Sequence, residues 1–123
     1  MKTKTKRVVI FLGTFAFSLM IARSWVPSAL AQDPQVIDIT AKRFAFSPNE
    51  VHLKAGQPVT LHLVSEDVTH GFFSRPLGLD ETIPAKQSVD VKLTPRTPGK
   101  YSIICDNFCG SGHGNMKMTF VVE

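Results

Sequence analysis

The sequence has few of the features that mark membrane spans, disulfide frameworks or helical repeats. Its longest apolar run, at residues 8–21, has fourteen residues, whereas a transmembrane helix needs about 20. The 123 residues include one tryptophan and two cysteines, too few for a disulfide-rich scaffold. No segment has a convincing helical periodicity, and no segment is repeated. These absences favour one small domain built around an apolar core.

Acidic residues are absent from the first thirty-one positions, which hold five of the fourteen basic residues. The basic start, the apolar run and the small residues of Ala29-Leu30-Ala31 together form the pattern of a secretory signal peptide. Residues 1–31 are therefore predicted to be a signal peptide that directs the chain to the periplasm or another extracytoplasmic space, with Gln32 as the mature N-terminus. An uncleaved single-helix membrane anchor is the alternative, although the run is short for one.

The charge is divided unevenly between the two parts of the chain. The whole sequence has a formal net charge of +4, but residues 32–123 contain nine basic and ten acidic residues, a net charge of −1. The basic character thus belongs to the predicted signal peptide, and nothing in it indicates a nucleic-acid partner. The remaining ninety-two residues suffice for one domain, 32–123, with a modest core.

The predicted mature domain has the sequence pattern of an all-β fold. Alternating apolar residues, or runs of β-branched and aromatic residues, predict strands at 35–40, 51–54, 58–65, 88–93, 101–104 and 118–122. Turn signals rich in proline, glycine and asparagine separate them. About seven short strands without a convincing helix predict a Greek-key β-sandwich, preceded by a loose tail at 32–35.

A dense group of sulfur and nitrogen donors lies near the C-terminus. The stretch reads Cys105-Asp-Asn-Phe-Cys109-Gly-Ser-Gly-His113-Gly-Asn-Met116. Thiolate and imidazole donors select copper or zinc over hard cations, and the thioether favours copper. After export the two cysteines could instead form a disulfide, but its very short loop would add little stability. A metal or redox role is therefore the preferred interpretation.

The other three histidines differ in their sequence surroundings. His52 and His62 occupy polar positions of predicted strands, so both are expected to face solvent. His70 follows a strand and is flanked by a glycine and two phenylalanines, an apolar setting in which a metal ligand can be held dry and fixed. His70 is therefore predicted to join the C-terminal donors at one end of the sandwich.

Two kinds of copper site are compatible with these donors. A mononuclear blue-copper site needs two histidines, one cysteine and a weak axial methionine, so His70, Cys109, His113 and Met116 would suffice. Cys105 would then be surplus. A binuclear centre would instead use both thiolates as bridges between two copper ions, with one histidine on each ion.

The chain resembles the cupredoxin domain of cytochrome c oxidase subunit II, which carries the binuclear CuA centre. The resemblance rests on Cys-x3-Cys-x3-His-x2-Met at 105–116 and on Asp67-Val-Thr-His70, and it extends over about residues 39–122. A related CuA domain occurs in nitrous-oxide reductase. The resemblance implies that two copper ions are held by the following residues: His70, Cys105, Asn107 through its backbone carbonyl, Cys109, His113 and Met116.

The resemblance also implies an electron carrier that is not an enzyme by itself. Domains of this family accept single electrons from a c-type cytochrome or a similar donor. Many members have a glutamate at the position of Asn107, whose side chain binds a metal at the contact with subunit I, whereas Asn107 keeps only the carbonyl role. The predicted function is a carrier between a c-type cytochrome and a terminal oxidase or reductase. The alternatives are the electron-accepting subunit of a haem-copper oxidase beside its membrane subunit I, and a periplasmic copper chaperone or storage protein that uses the same ligands.

Overall fold

Nine β-strands make up residues 33–123, the part of the chain that the computed structural model describes. The strands are β1 (Gln35–Lys42), β2 (Ala45–Ser47), β3 (Glu50–Leu53), β4 (Val59–Ser65), β5 (His70–Ser74), β6 (Leu79–Ile83), β7 (Ser88–Leu93), β8 (Gly99–Ile104) and β9 (Lys117–Val122). Within this range the only helices are two single 3-10 turns, at Arg75–Leu77 and His113–Asn115. None of the described residues forms a helix long and apolar enough to cross a bilayer. The signal peptide or anchor predicted at 1–31 lies outside the described residues.

The strands form two sheets, in the orders β2-β1-β4-β7 and β3-β9-β8-β5-β6. Strand β1 runs parallel to β4, and β3 runs parallel to β9, whereas the other pairs are antiparallel. In β4 every second residue is buried, as the alternation in the sequence predicts. The all-β sandwich prediction is confirmed.

The core lies between the two sheets, where apolar side chains of both inner faces meet. Ile39 and Leu63 of the first sheet and Phe72 and Phe120 of the second are completely buried. Phe46 of the first sheet meets Phe72 edge to face, with ring centroids 5.5 Å apart. Burying such a side chain stabilises the fold by about 1.5–3 kcal/mol. The packed sheets therefore give the loops at their ends a stiff support.

The strand count and limits differ from the prediction. Strand β5 is buried on both faces, so its sequence lacks the alternation that reveals a half-buried strand. Strand β2 has only three residues, and β6 buries only its end residues, Leu79 and Ile83. None of these three strands is predicted from the sequence. Gln35, which the predicted tail at 32–35 and the predicted strand at 35–40 share, is the first residue of β1, and β1 continues to Lys42.

One end of the second sheet gathers the predicted ligands. His70 is the first residue of β5, and the loop that connects β8 with β9 contains the other donors. Phe73, near the end of β5, pairs with Ile104 at the end of β8, and the two strands are antiparallel. The start of β5 therefore extends beyond β8 and lies alongside the loop that follows Ile104. A hydrogen bond from the Cys105 N–H to the Met116 carbonyl, 3.1 Å, closes the base of the loop. Residues far apart in sequence therefore meet at this end of the sandwich.

Candidate metal centre

The predicted donor atoms form a continuous chain of contacts. Cys105 Sγ lies 4.0 Å from His70 Nδ1 and 3.6 Å from Cys109 Sγ. Cys109 Sγ in turn lies 3.8 Å from His113 Nδ1 and 3.8 Å from Met116 Sδ. Two thiols, two imidazole nitrogens and a thioether therefore face one small volume.

The two cysteines are free thiols rather than a disulfide. Cys105 Sγ contacts the carbonyl oxygen of Asn107 at 3.1 Å and accepts a hydrogen bond from the Gly71 N–H at 3.4 Å. Burial, together with the neighbouring Cys105 thiol, raises the pKa of Cys109 to about 11. A metal that binds Cys109 must therefore displace a proton, so its affinity rises with pH.

The donors are shielded from water to different degrees. His70 is 0% exposed and Met116 is 1% exposed. His113 is partly exposed, and its ring lies 5.9 Å from the ring of Phe108, which is 78% exposed. The centre thus has a dry inner side around His70 and a surface side formed by His113 and Phe108.

Asp67 determines the orientation of His70, whose Nε2 lies 2.7 Å from Asp67 Oδ1. Partial burial favours the neutral form of Asp67, but hydrogen bonds from the Arg43 N–H, the His70 ring and the Val68 N–H lower the pKa of Asp67 to about 2. Because an ionised carboxylate only accepts hydrogen bonds, Nε2 carries a hydrogen. With the hydrogen on Nε2, Nδ1 is the ring nitrogen that faces Cys105 and is available to bind a metal.

Gly71 lets the cysteine loop pass close to β5. A Cβ at this position would lie 1.9 Å from Asp106 Oδ1 and 2.7 Å from the backbone nitrogen of Asn107. Glycine in a strand often marks such a close approach of another backbone. In the sequence, Gly71 is marked only by its place directly after His70. That place does not reveal which loop packs against the glycine.

The turn between β1 and β2, on the other sheet, also reaches the centre. Arg43 donates its backbone N–H to Asp67 Oδ2 at 2.9 Å and its side-chain Nε–H to the Cys109 carbonyl at 3.0 Å. The ring of Phe44 lies so close to Gly112 that a Cβ there would be 2.4 Å from it. No local pattern in the sequence identifies Arg43, because its contacts depend on how the two sheets are packed.

His52 and His62 face solvent and take no part in the centre, as predicted. Hydrogen bonds to Glu123 and Glu50 raise the pKa of His52. A hydrogen bond to Asp90 raises the pKa of His62. Both are surface ion-pair residues of the sheets.

The donor chemistry of the centre fits copper. The ligand atoms of His70, Cys105 and Cys109 lie within 4.8 Å of one another, and the group is buried. Thiolate and thioether sulfur with imidazole nitrogen select a soft metal such as copper, whereas magnesium and calcium prefer carboxylate, carbonyl and water oxygens. The six predicted ligand residues include no carboxylate.

Known proteins share both the sequence pattern and the fold. The profile of the cupredoxin-like domain family matches residues 9–122. Cytochrome c oxidase subunit 2 of Thermus thermophilus is 36% identical over 86 residues, which cover 69% of this chain and 63% of that protein. Nitrous-oxide reductase of Cupriavidus necator is 32% identical over 91 residues, which cover 71% of this chain and 14% of the reductase.

A solved structure shares the fold. The periplasmic domain of cytochrome oxidase subunit II of Bradyrhizobium japonicum superposes with a TM-score of 0.66 at 16% identity, over 72% of this chain and 83% of that domain. At this identity the likeness concerns the fold. The chain spans less than two thirds of the length of the Thermus subunit. The resemblance inferred from the sequence is thus confirmed: the chain belongs to the cupredoxin-like domain family and is homologous to cytochrome c oxidase subunit II.

Proposed function

We propose that residues 32–123 form an exported copper protein that carries electrons through a binuclear CuA-type centre. The observation that supports it best is the order of the donor atoms. His70 Nδ1 adjoins Cys105 Sγ, the two sulfurs adjoin each other, and His113 Nδ1 adjoins Cys109 Sγ. Each imidazole lies beside a different thiol, which suits two metal ions that share both sulfurs. A single copper would leave one buried thiol without a role.

The weaker donors are divided in the same way. The Asn107 carbonyl adjoins Cys105, and Met116 Sδ adjoins Cys109, so we assign one of them to each copper ion. A copper pair held by these residues would supply a one-electron redox centre. The protein holds the donors on a stiff sandwich and keeps water from His70 and Met116, both buried. Such a fixed, dry environment limits rearrangement between oxidation states.

The surface side of the centre is the proposed contact with redox partners. His113 is the proposed imidazole ligand that reaches solvent, and the exposed Phe108 lies beside it. The matched relatives include a cytochrome c oxidase subunit and a nitrous-oxide reductase. We therefore assign a c-type cytochrome or similar protein as the donor and a terminal oxidase or reductase as the acceptor, including subunit I of a membrane oxidase. In this role the domain transfers electrons and does not catalyse the oxidase or reductase reaction.

Residues 1–31 are proposed to direct export and then to be removed. The related domain of the Bradyrhizobium subunit is periplasmic. Mass spectrometry of protein from the periplasmic fraction should find Gln32 at the N-terminus. A chain that begins at Met1 and remains in the membrane fraction would show that the segment is an anchor.

Electron paramagnetic resonance of the copper-loaded protein tests the binuclear proposal. One unpaired electron shared by two copper nuclei gives hyperfine splitting from both, and this signal should disappear in Cys105→Ser. Met118→Leu is the matched control, because Met118 is a buried methionine of β9 that pairs with Ile103 of β8, whereas Met116 contacts Cys109. Splitting from a single nucleus in the wild type, or a shared signal that persists in Cys105→Ser, would overturn the proposal.

A further inference from the structure

Arg43 lies in a turn of the opposite sheet, yet it contacts groups that position two of the donors, His70 and Cys109. Its backbone N–H donates to Asp67 Oδ2 at 2.9 Å, and the other oxygen of that carboxylate accepts the hydrogen bond of His70. Its side-chain Nε–H donates to the Cys109 carbonyl at 3.0 Å. One residue of the β1–β2 turn therefore joins the carboxylate that orients His70 to the backbone of Cys109.

The same turn restricts the loop that follows Cys109. The Phe44 ring occupies the space beside Gly110 and Gly112, where a Cβ would come within 2.9 and 2.4 Å of ring atoms. Loops between strands are usually more mobile than the strands themselves. The loop between β8 and β9 has backbone hydrogen bonds of its own, such as that from the His113 N–H to the Gly110 carbonyl. The contacts of Arg43 and Phe44 add a restraint from the first sheet.

We propose that Arg43 is a positioning residue for the copper centre: the hydrogen bond from its Nε to the Cys109 carbonyl fixes the Cys109 thiol between Cys105 and His113. The inference rests on the proposed copper function. Arg43 acts through the backbone and does not touch the metal. A hydrogen bond from a charged donor corresponds to roughly tenfold or more in an equilibrium constant. Because the arginine is exposed, we expect roughly three- to tenfold faster copper loss without it.

Two substitutions separate the hydrogen bond from the charge. Arg43→Met removes both the donor and the charge but keeps an unbranched side chain. Arg43→Gln places an amide nitrogen where Nε stands, so it removes the charge and keeps a donor. Both retain the backbone N–H that binds Asp67. Arg96→Met is the charge control, because Arg96 is an exposed arginine whose side chain has no hydrogen bond or ion pair within the described residues.

The test combines copper release to excess chelator, paramagnetic resonance of the loaded protein, and hydrogen exchange of segment 105–116 in the reduced, metal-free protein. We expect Arg43→Met to release copper roughly three- to tenfold faster, to alter the resonance spectrum and to expose the segment to exchange. Arg43→Gln and Arg96→Met should stay close to wild type. Equal effects of Arg43→Gln and Arg43→Met would show that only charge matters and would overturn the inference.

Wild-type values for Arg43→Met would also overturn it. So would global unfolding of that variant on circular dichroism, since the proposed role is local. If the wild-type protein takes up no copper, the proposed function fails, while hydrogen exchange of the metal-free protein still decides whether Arg43 holds the loop. The two failures are therefore distinguishable.

Discussion

Replacing Gly71 with alanine should displace the cysteine loop and leave the sandwich intact. The added Cβ would lie 1.9 Å from Asp106 Oδ1, 2.9 Å from the backbone nitrogen of Asp106 and 2.7 Å from that of Asn107. The carboxylate can rotate away, but the two nitrogens move only with the loop. Ordinary contact begins near 3.4 Å, so the backbone at Asn107 must shift by the difference, about 0.7 Å.

A shift of that size exceeds what a metal site tolerates, which is about 0.2 Å in ligand distance. The Asn107 carbonyl follows the displaced nitrogen through the Cα of the same residue, and the Cys105 thiol, which accepts the Gly71 N–H, is displaced as well. We therefore expect copper affinity to fall by about 10–100-fold, the range for residues that support metal ligands. Overpacking should also destabilise the metal-free domain by about 1–3 kcal/mol.

Chelator competition measures the affinity, and urea unfolding of the reduced, metal-free protein measures the stability. Gly114→Ala is the matched control, because it lies in the same loop and nothing is within 4 Å of the added Cβ. It should behave as wild type, and far-ultraviolet circular dichroism of Gly71→Ala should be unchanged. Wild-type copper affinity and spectrum in Gly71→Ala would show that the close passage of the loop over β5 does not determine the site.

Two further predictions concern the axial donor and the surface charge. Met116→Leu preserves volume at a buried position, so it should lower the free energy of unfolding by less than about 1.5 kcal/mol. Copper should stay bound while its reduction potential changes. An unchanged potential would contradict an axial role for Met116. The Asp90 hydrogen bond raises the pKa of His62, so this pair should stabilise the folded state most when His62 is protonated. The stabilisation should be complete below about pH 6.5 and be lost as pH rises through the raised pKa. In urea unfolding, the metal-free wild type should exceed His62→Gln in stability at low pH and approach it at high pH, and a difference independent of pH would refute this linkage.

The strands that could be predicted bury one face and show a regular alternation in the sequence, which the three-residue β2 and the weakly buried β6 do not. Alternation located β4 and β7 because successive side chains point alternately to core and solvent. It did not reveal β5, which is buried on both sides, and this is the strand that presents His70 and Gly71 to the cysteine loop. The donor residues were nevertheless predicted, because their side-chain chemistry is independent of the strand that carries them.

The sequence by itself determined which atoms are available to a metal, since the four donors between Cys105 and Met116 are close in the chain and their preference for copper is a property of the side chains. Only the tertiary structure decided how these donors are arranged and supported. The contact of Arg43 with Asp67 spans 24 positions, its contact with Cys109 spans 66, and that of His70 with Cys105 spans 35. Such contacts exist because two packed sheets bring three separate segments to one end of the sandwich, and no local pattern in the chain encodes that meeting.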